Sequence, residues 1–146
     1  MTWNLAAAAA SVQKFREDTR GVAAVEFALI APMMMLFMFG MIAFAIYFGA
    51  AHSVQQLTAD AARSAIAGLD ATEREDIVND YITANISSYS LLNPEHVTHD
   101  LEETPTQIVV AIRYDARDLP IWNLFPGIPM PDPTITRTTT IRIGGI

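Results

Sequence analysis

Hydrophobic positions fall along this chain in three regimes. From Phe27 to Ala51 they are almost continuous, with 25 residues free of charge, 22 of them apolar. From His52 they thin to helical spacing: Val54, Leu57, Ala61, Ala65 and Leu69 lie three or four apart, which predicts a helix running on to Leu69, with Gly68 as its stop signal. Thr72-Glu73-Arg74-Glu75 has the form of a capping box. It predicts a second helix to about Tyr89, with Ile77, Tyr81, Ile82 and Ile86 facing inward. After Pro94 the period drops to two. Strands are predicted over 96–103, through Ile108, Val110, Ile112 and Tyr114, and over 134–143 with Ile135, Ile141 and Ile143 on one side. The expected fold class is α+β: a long N-terminal transmembrane helix continuing into an exported helix, a second helix, then a small antiparallel sheet of about three strands.

The continuous run decides the architecture. A hydrocarbon core about 30 Å thick needs roughly 20 helical residues, so 25 residues can span it with some tilt. The run is also longer than the ~7–15 apolar residues of a signal peptide. That disfavours the alternative in which Gly49 and Ala51 mark a signal-peptidase site. Lys14, Arg16 and Arg20 precede the run, and the next base is Arg63. Positive charge stays in the cytoplasm. The expected division is therefore a cytoplasmic leader at 1–21, a transmembrane helix at 22–51 and an exported α+β domain at 52–146. Pro32 should kink the span. Ala24 and Ala28, like Ala45 and Gly49, are small residues four apart, which either admit a neighbouring helix or are ordinary membrane composition. The Met33–Met41 cluster of methionines and phenylalanines is bulk facing lipid or another helix.

Composition and charge narrow the function classes. Beyond the run, 39 of 95 residues are apolar, an ordinary fraction for a soluble domain. The same stretch carries six arginines against thirteen acids, which accounts for the net charge of −7. There is no basic stripe for a phosphate backbone, so nucleic acid is not an expected partner. The absence of cysteine removes thiol catalysis, disulfides and thiolate metal sites. His96 and His99 are three apart and point to opposite faces of a strand, a poor metal pair. Glu73, Glu75, Asp76 and Asp80 read as a solvated helix face, with a calcium or partner site as the alternative. No phosphate loop or catalytic triad is legible, so the expectation is a protein that is not an enzyme, with no cofactor, metal or small-molecule substrate.

One carboxylate stands apart. Glu26 is the only charge between Arg20 and Asp60, at the mouth of the apolar run. An acid there is costly unless it is paired or held at headgroup depth. Its context is Arg20-Gly21-Val22-Ala23-Ala24-Val25-Glu26-Phe27, followed by Ala28-Leu29-Ile30-Ala31-Pro32. This resembles the leader of type IV prepilins and pseudopilins. With Met33–Phe44 and the coda Gln55-Gln56-Leu57-Thr58-Ala59-Asp60-Ala61-Ala62-Arg63, it resembles more closely the TadE-like minor pseudopilins of tight adherence (Flp) pilus systems. The resemblance is close over 14–69 and loose beyond, and it departs at Ala43, where the family often carries a second Glu before the Phe.

That resemblance implies cleavage by a prepilin peptidase between Gly21 and Val22. It further implies an assembly role for Glu26 and Phe27, and a place among other pilins or pseudopilins and the pilus assembly platform. The protein would sit as a single pass in a bacterial inner membrane, with its C-terminal domain periplasmic, or join a surface pilus. If Val22 becomes the new amino terminus, the carboxylate of Glu26 can neutralise the ammonium of a neighbouring chain and fix the axial register. The other reading is an unprocessed single-span envelope protein tethering a binding or sensor domain. The long connection at 118–133 contains Ile121-Trp122-Asn123-Leu124-Phe125. Trp122 and Phe125 either pack across the sheet or form an exposed partner-docking patch.

Overall fold

The computed structural model describes residues 19–122 and 129–143. The chain divides into two compact units, Met1–Gly40 and Met41–Ile146. The first helix, α1, runs over Thr19–Ser64 with Pro32 inside it, and a 3₁₀ turn at Ala65–Ala67 extends it. A second helix, α2, covers Ala71–Asn85. Strands β1 (Val97–Thr104), β2 (Gln107–Asp115) and β3 (Thr134–Arg142) form one antiparallel sheet in the order β1-β2-β3. The α+β expectation of a long apolar helix, a second helix and three strands describes this chain.

In the first unit the side chains from Gly21 to Ile30 all lie exposed, and those from Pro32 to Met38 do as well. Eleven large apolar side chains between Val22 and Met38 remain uncovered, with Leu29 at 81%. Leaving so much apolar surface in water costs on the order of tens of kcal/mol. A hydrocarbon phase removes that cost. Pro32 cannot donate a backbone hydrogen bond, yet the helix continues through it.

The second unit is built the opposite way. One face of α1 and its 3₁₀ extension supplies Ala50, Ala51, Val54, Leu57, Ala61, Ala62 and Ala65, all buried in a single cluster with Val78, Ile82 and Ile86. Five of those seven are alanine, so the helix backbone can lie close to its neighbours. Gly49 shows how close: a Cβ there would stand 2.9 Å from Leu91 Cδ1. The hydroxyl of Thr58, fully buried on this face, donates to Val54 O at 2.6 Å, which removes the desolvation penalty. Strand β2 completes the core. Ile108, Val110, Ile112 and Tyr114 are buried at alternate positions, as period two requires. On β3, Ile135 is buried and Ile141 is packed against the cluster, with Ile143 just beyond the strand. The opposite sheet face is polar, with Arg113 bonded to Asp100 across β1–β2 and threonines along β3.

Four local expectations are corrected. Leu69 is 87% exposed and off the buried face, because the chain leaves the helix at Gly68, whose backbone is extended. The α2 cap is Asp70, not Thr72: its carboxylate accepts from Glu73 N at 2.9 Å, while Glu73 Oε2 accepts from Leu69 N at 2.7 Å. The buried face of α2 is Val78 and Ile82, with Ile77 and Tyr81 only half-buried; the helix itself ends at Asn85, and a 3₁₀ turn carries Ile86 into the core. His96 closes a 3₁₀ turn at Pro94–His96 rather than opening β1, because Pro94 and the Asn93 side chain cap that turn.

Candidate functional site

The N-terminal end of α1 positions the residues that the sequence singled out. Gly21, Val22, Glu26 and Phe27 all lie on the helix and are all exposed. Val22 and Glu26 are four apart, so their side chains share one face, one turn from each other. Among the described residues Glu26 forms no ion pair. The bases Lys14 and Arg16 lie outside the described residues.

Gly21 is out of place in a helix on physical grounds. Glycine in a helix interior costs about 1 kcal/mol relative to alanine, and is usually kept where a larger residue would collide. Gly49 and Gly68 have that reason: a Cβ on Gly68 would stand 2.9 Å from Arg74 N and 2.6 Å from Arg74 Cγ. A Cβ on Gly21 would meet nothing within 4 Å. Packing among the described residues does not require this glycine.

Comparison with known families decides which segment this is. Residues 21–63 match the TadE-like protein family. No curated protein and no solved structure matches the chain significantly. The TadE-like segment begins at Gly21 and ends at Arg63, so it lies wholly on α1 and leaves the sheet and α2 unmatched. Within the matched segment, Ala43 is 3% exposed in the core cluster.

The head carries polar contacts of its own. Arg74 bonds Glu103 at 2.6 Å, tying α2 to β1 with both side chains largely covered. His96 Nδ1 lies 3.3 Å from Asp118 Oδ2. Tyr114 Oη lies 3.0 Å from Asp118 Oδ1 and 3.2 Å from Leu91 O, and its pKa is pushed up to about 12, chiefly by burial and then by the Asp118 carboxylate. Burial likewise raises Tyr89, with smaller contributions from Tyr81 and Asp60. Among the described residues no group of three or more His, Asp or Glu is arranged to hold a metal.

Trp122 lies in the turn that follows Leu119. Its ring is half-buried, Nε1 donates to Ala116 O at 2.5 Å, and it meets the Tyr47 ring edge-on at 6.4 Å. Phe125 lies outside the described residues. Sequence reasoning missed Tyr47, whose hydroxyl donates to Asp132 O at 3.0 Å. A tyrosine at the end of an apolar run was the available signal.

Proposed function

We propose that this TadE-like chain is a minor pseudopilin of a tight adherence pilus system, a non-enzymatic assembly component. It is cleaved behind Gly21 by a prepilin peptidase, spans the inner membrane once with residues 1–21 on the cytoplasmic side, and holds its α+β head in the periplasm. The observation that carries this reading is Gly21 itself. It stands in a helix where no described residue demands it, five residues before an exposed Glu26 and at the first residue of the family match. A glycine the folded chain does not need is accounted for by a partner that does. A backbone without Cβ can be drawn extended into a protease cleft where larger side chains collide.

Cleavage leaves an ammonium on Val22. In a bundle of staggered helices Glu26 of one chain neutralises Val22 of the next, joining two groups that are each costly in lipid. The uncovered methionine, phenylalanine and leucine side chains of residues 27–42 supply the helix-to-helix and helix-to-lipid surface. Co-expression with the cognate peptidase tests the processing step. The wild type should lose its first 21 residues and yield Val22 on N-terminal sequencing, while Gly21→Leu stays full length in the membrane. Equal sizes for both forms would contradict the reading.

A further inference from the structure

The two edges of the sheet are β1 and β3, and their charges are opposite. Strand β3 carries Arg137 and Arg142 and no acid, while β1 carries Asp100, Glu102 and Glu103 and no Lys or Arg. Seven of the nine β3 residues are β-branched, and neither proline nor glycine interrupts the strand. An unpaired edge of that composition is a template for another strand, which proteins commonly blunt with prolines, bulges or covering chain. Among the described residues no backbone hydrogen bond reaches β1 or β3 from outside the ladder.

The bonds flanking the strands fix which backbone groups face outward. Ala116 N donates to Pro133 O at 2.8 Å, and Ile143 N donates to Thr106 O at 2.9 Å. In the register that joins Gln107 to Arg142, bonded pairs recur at every second residue. The backbones of Ile135, Arg137, Thr139 and Ile141 therefore bond β2, and those of Thr136, Thr138 and Thr140 point away from the sheet. Strand β2 alternates likewise, so Thr98, Asp100 and Glu102 bond it from the other side, and the N–H and C=O of His99 and Leu101 point away. The Thr136 carbonyl already accepts from Arg137 Nη1 at 2.8 Å, so the open stretch of β3 begins at Thr138.

We propose that the β3 edge of one chain pairs in parallel with the β1 edge of a second copy, Arg142 beside Glu102, so that the sheet continues from head to head. Both edge strands are antiparallel to β2, so a copy that extends the sheet without reversing it presents β1 parallel to β3. Thr140 then bonds the second copy's His99 and Leu101, with Ile141 beside Leu101 and Thr138 beside Thr98. Sliding the copy by two residues would instead set Ile141 against Glu103, which Arg74 already holds. Copies of a chain of net charge −7 repel on average, and this orientation brings unlike charges together. The contact is heterologous: each added copy leaves a free edge, so the series extends rather than closing at a dimer. It concerns the head alone and does not depend on cleavage behind Gly21.

The sequence has no cysteine, so introduced thiols report alone. Thr138→Cys and Thr98→Cys alter exposed, uncharged side chains. Within one chain two strand spacings of about 4.8 Å separate these positions, beyond the ~7 Å between Cα atoms that a disulfide spans. Two full-length chains, one with each substitution and each with its own tag, are co-expressed and oxidised in isolated membranes. A mixed disulfide dimer is expected, with little self-linking of either chain, and a chain carrying both substitutions should give a ladder of multimers. Arg142→Glu on the Thr138→Cys chain should cut the mixed product severalfold, and Glu102→Arg on the other chain should restore it. Self-linking of Thr138→Cys at the level of the mixed product would show β3 pairing with β3 and overturn the proposal. Absence of the mixed product from chains whose heads melt as the wild type does would also overturn it, as would a yield indifferent to Arg142→Glu. Should either threonine variant melt early, Thr140→Cys with Asp100→Cys tests the same register.

Discussion

Two stretches of the same helix, 21–38 and 50–65, are both rich in apolar residues and meet opposite surroundings. The first is bulky and uncovered, presenting methionine, phenylalanine, leucine and isoleucine. The second buries a face made mostly of alanine, with Val54 and Leu57 between. Residue size, more than hydrophobicity, tells them apart. Small residues let a backbone lie against other protein at close range, while large flexible ones cover surface where no fixed partner exists. The family match covers the first stretch and runs into the second as far as Arg63.

The contrast can be broken at several points. Leu57→Ala opens a cavity in the head core and should lower the stability of the detergent-solubilised chain by ~2–5 kcal/mol, whereas Phe37→Ala in the uncovered stretch should leave the head transition unchanged. Urea unfolding followed by circular dichroism separates the two. A comparable loss for Phe37→Ala would mean that the first stretch packs on something. Glycines give a smaller version of the same test. Gly68→Ala forces a methyl onto Arg74 N and should cost ~1–3 kcal/mol, while Gly21→Ala should leave the head transition where it is.

The smallest effect is in pH. Tyr114 has a folded-state pKa of about 12, above its ordinary value of 10. Its contribution to stability is complete below pH 10 and is lost as pH rises through about 12, because there the unfolded chain gives up the proton first. Tyr114→Phe should be less stable by ~1 kcal/mol near neutral pH, from the lost hydrogen bond. The gap should close between pH 10 and 12, as unfolding curves at stepped pH would show. A constant gap would place the hydroxyl in an unperturbed setting.

Much of this architecture was legible because its causes are local. Alternation of Ile108, Val110, Ile112 and Tyr114 is the direct mark of a strand with one buried face, and all four are buried. The motif from Gly21 to Phe27 needed only neighbouring residues to be recognised. The cap of α2 was misplaced because two overlapping signals, Asp70-Ala71-Thr72-Glu73 and Thr72-Glu73-Arg74-Glu75, offer the same chemistry. The close approach of Gly68 to Arg74 fits the earlier start, and no local pattern records it. Leu69 kept helical spacing after the backbone had turned extended. The ties from Tyr47 to Trp122 and Asp132 join residues at least 75 apart in sequence, and that from Arg74 to Glu103 spans 29. Packing makes such contacts, and spacing along the chain does not announce them.

Glu26 offers the sharpest test of the claim that the uncovered end of α1 is an assembly surface. Glu26→Gln keeps the side chain's shape and removes its charge. The variant, co-expressed with the peptidase and the other pilins, should be inserted and cleaved behind Gly21, as the proposal expects of the wild type. It should then fail to co-isolate with those pilins after membrane crosslinking, with Glu26→Asp intermediate because its shorter reach keeps the charge. Wild-type co-isolation by Glu26→Gln would contradict the account, leaving the carboxylate merely solvated at the membrane surface.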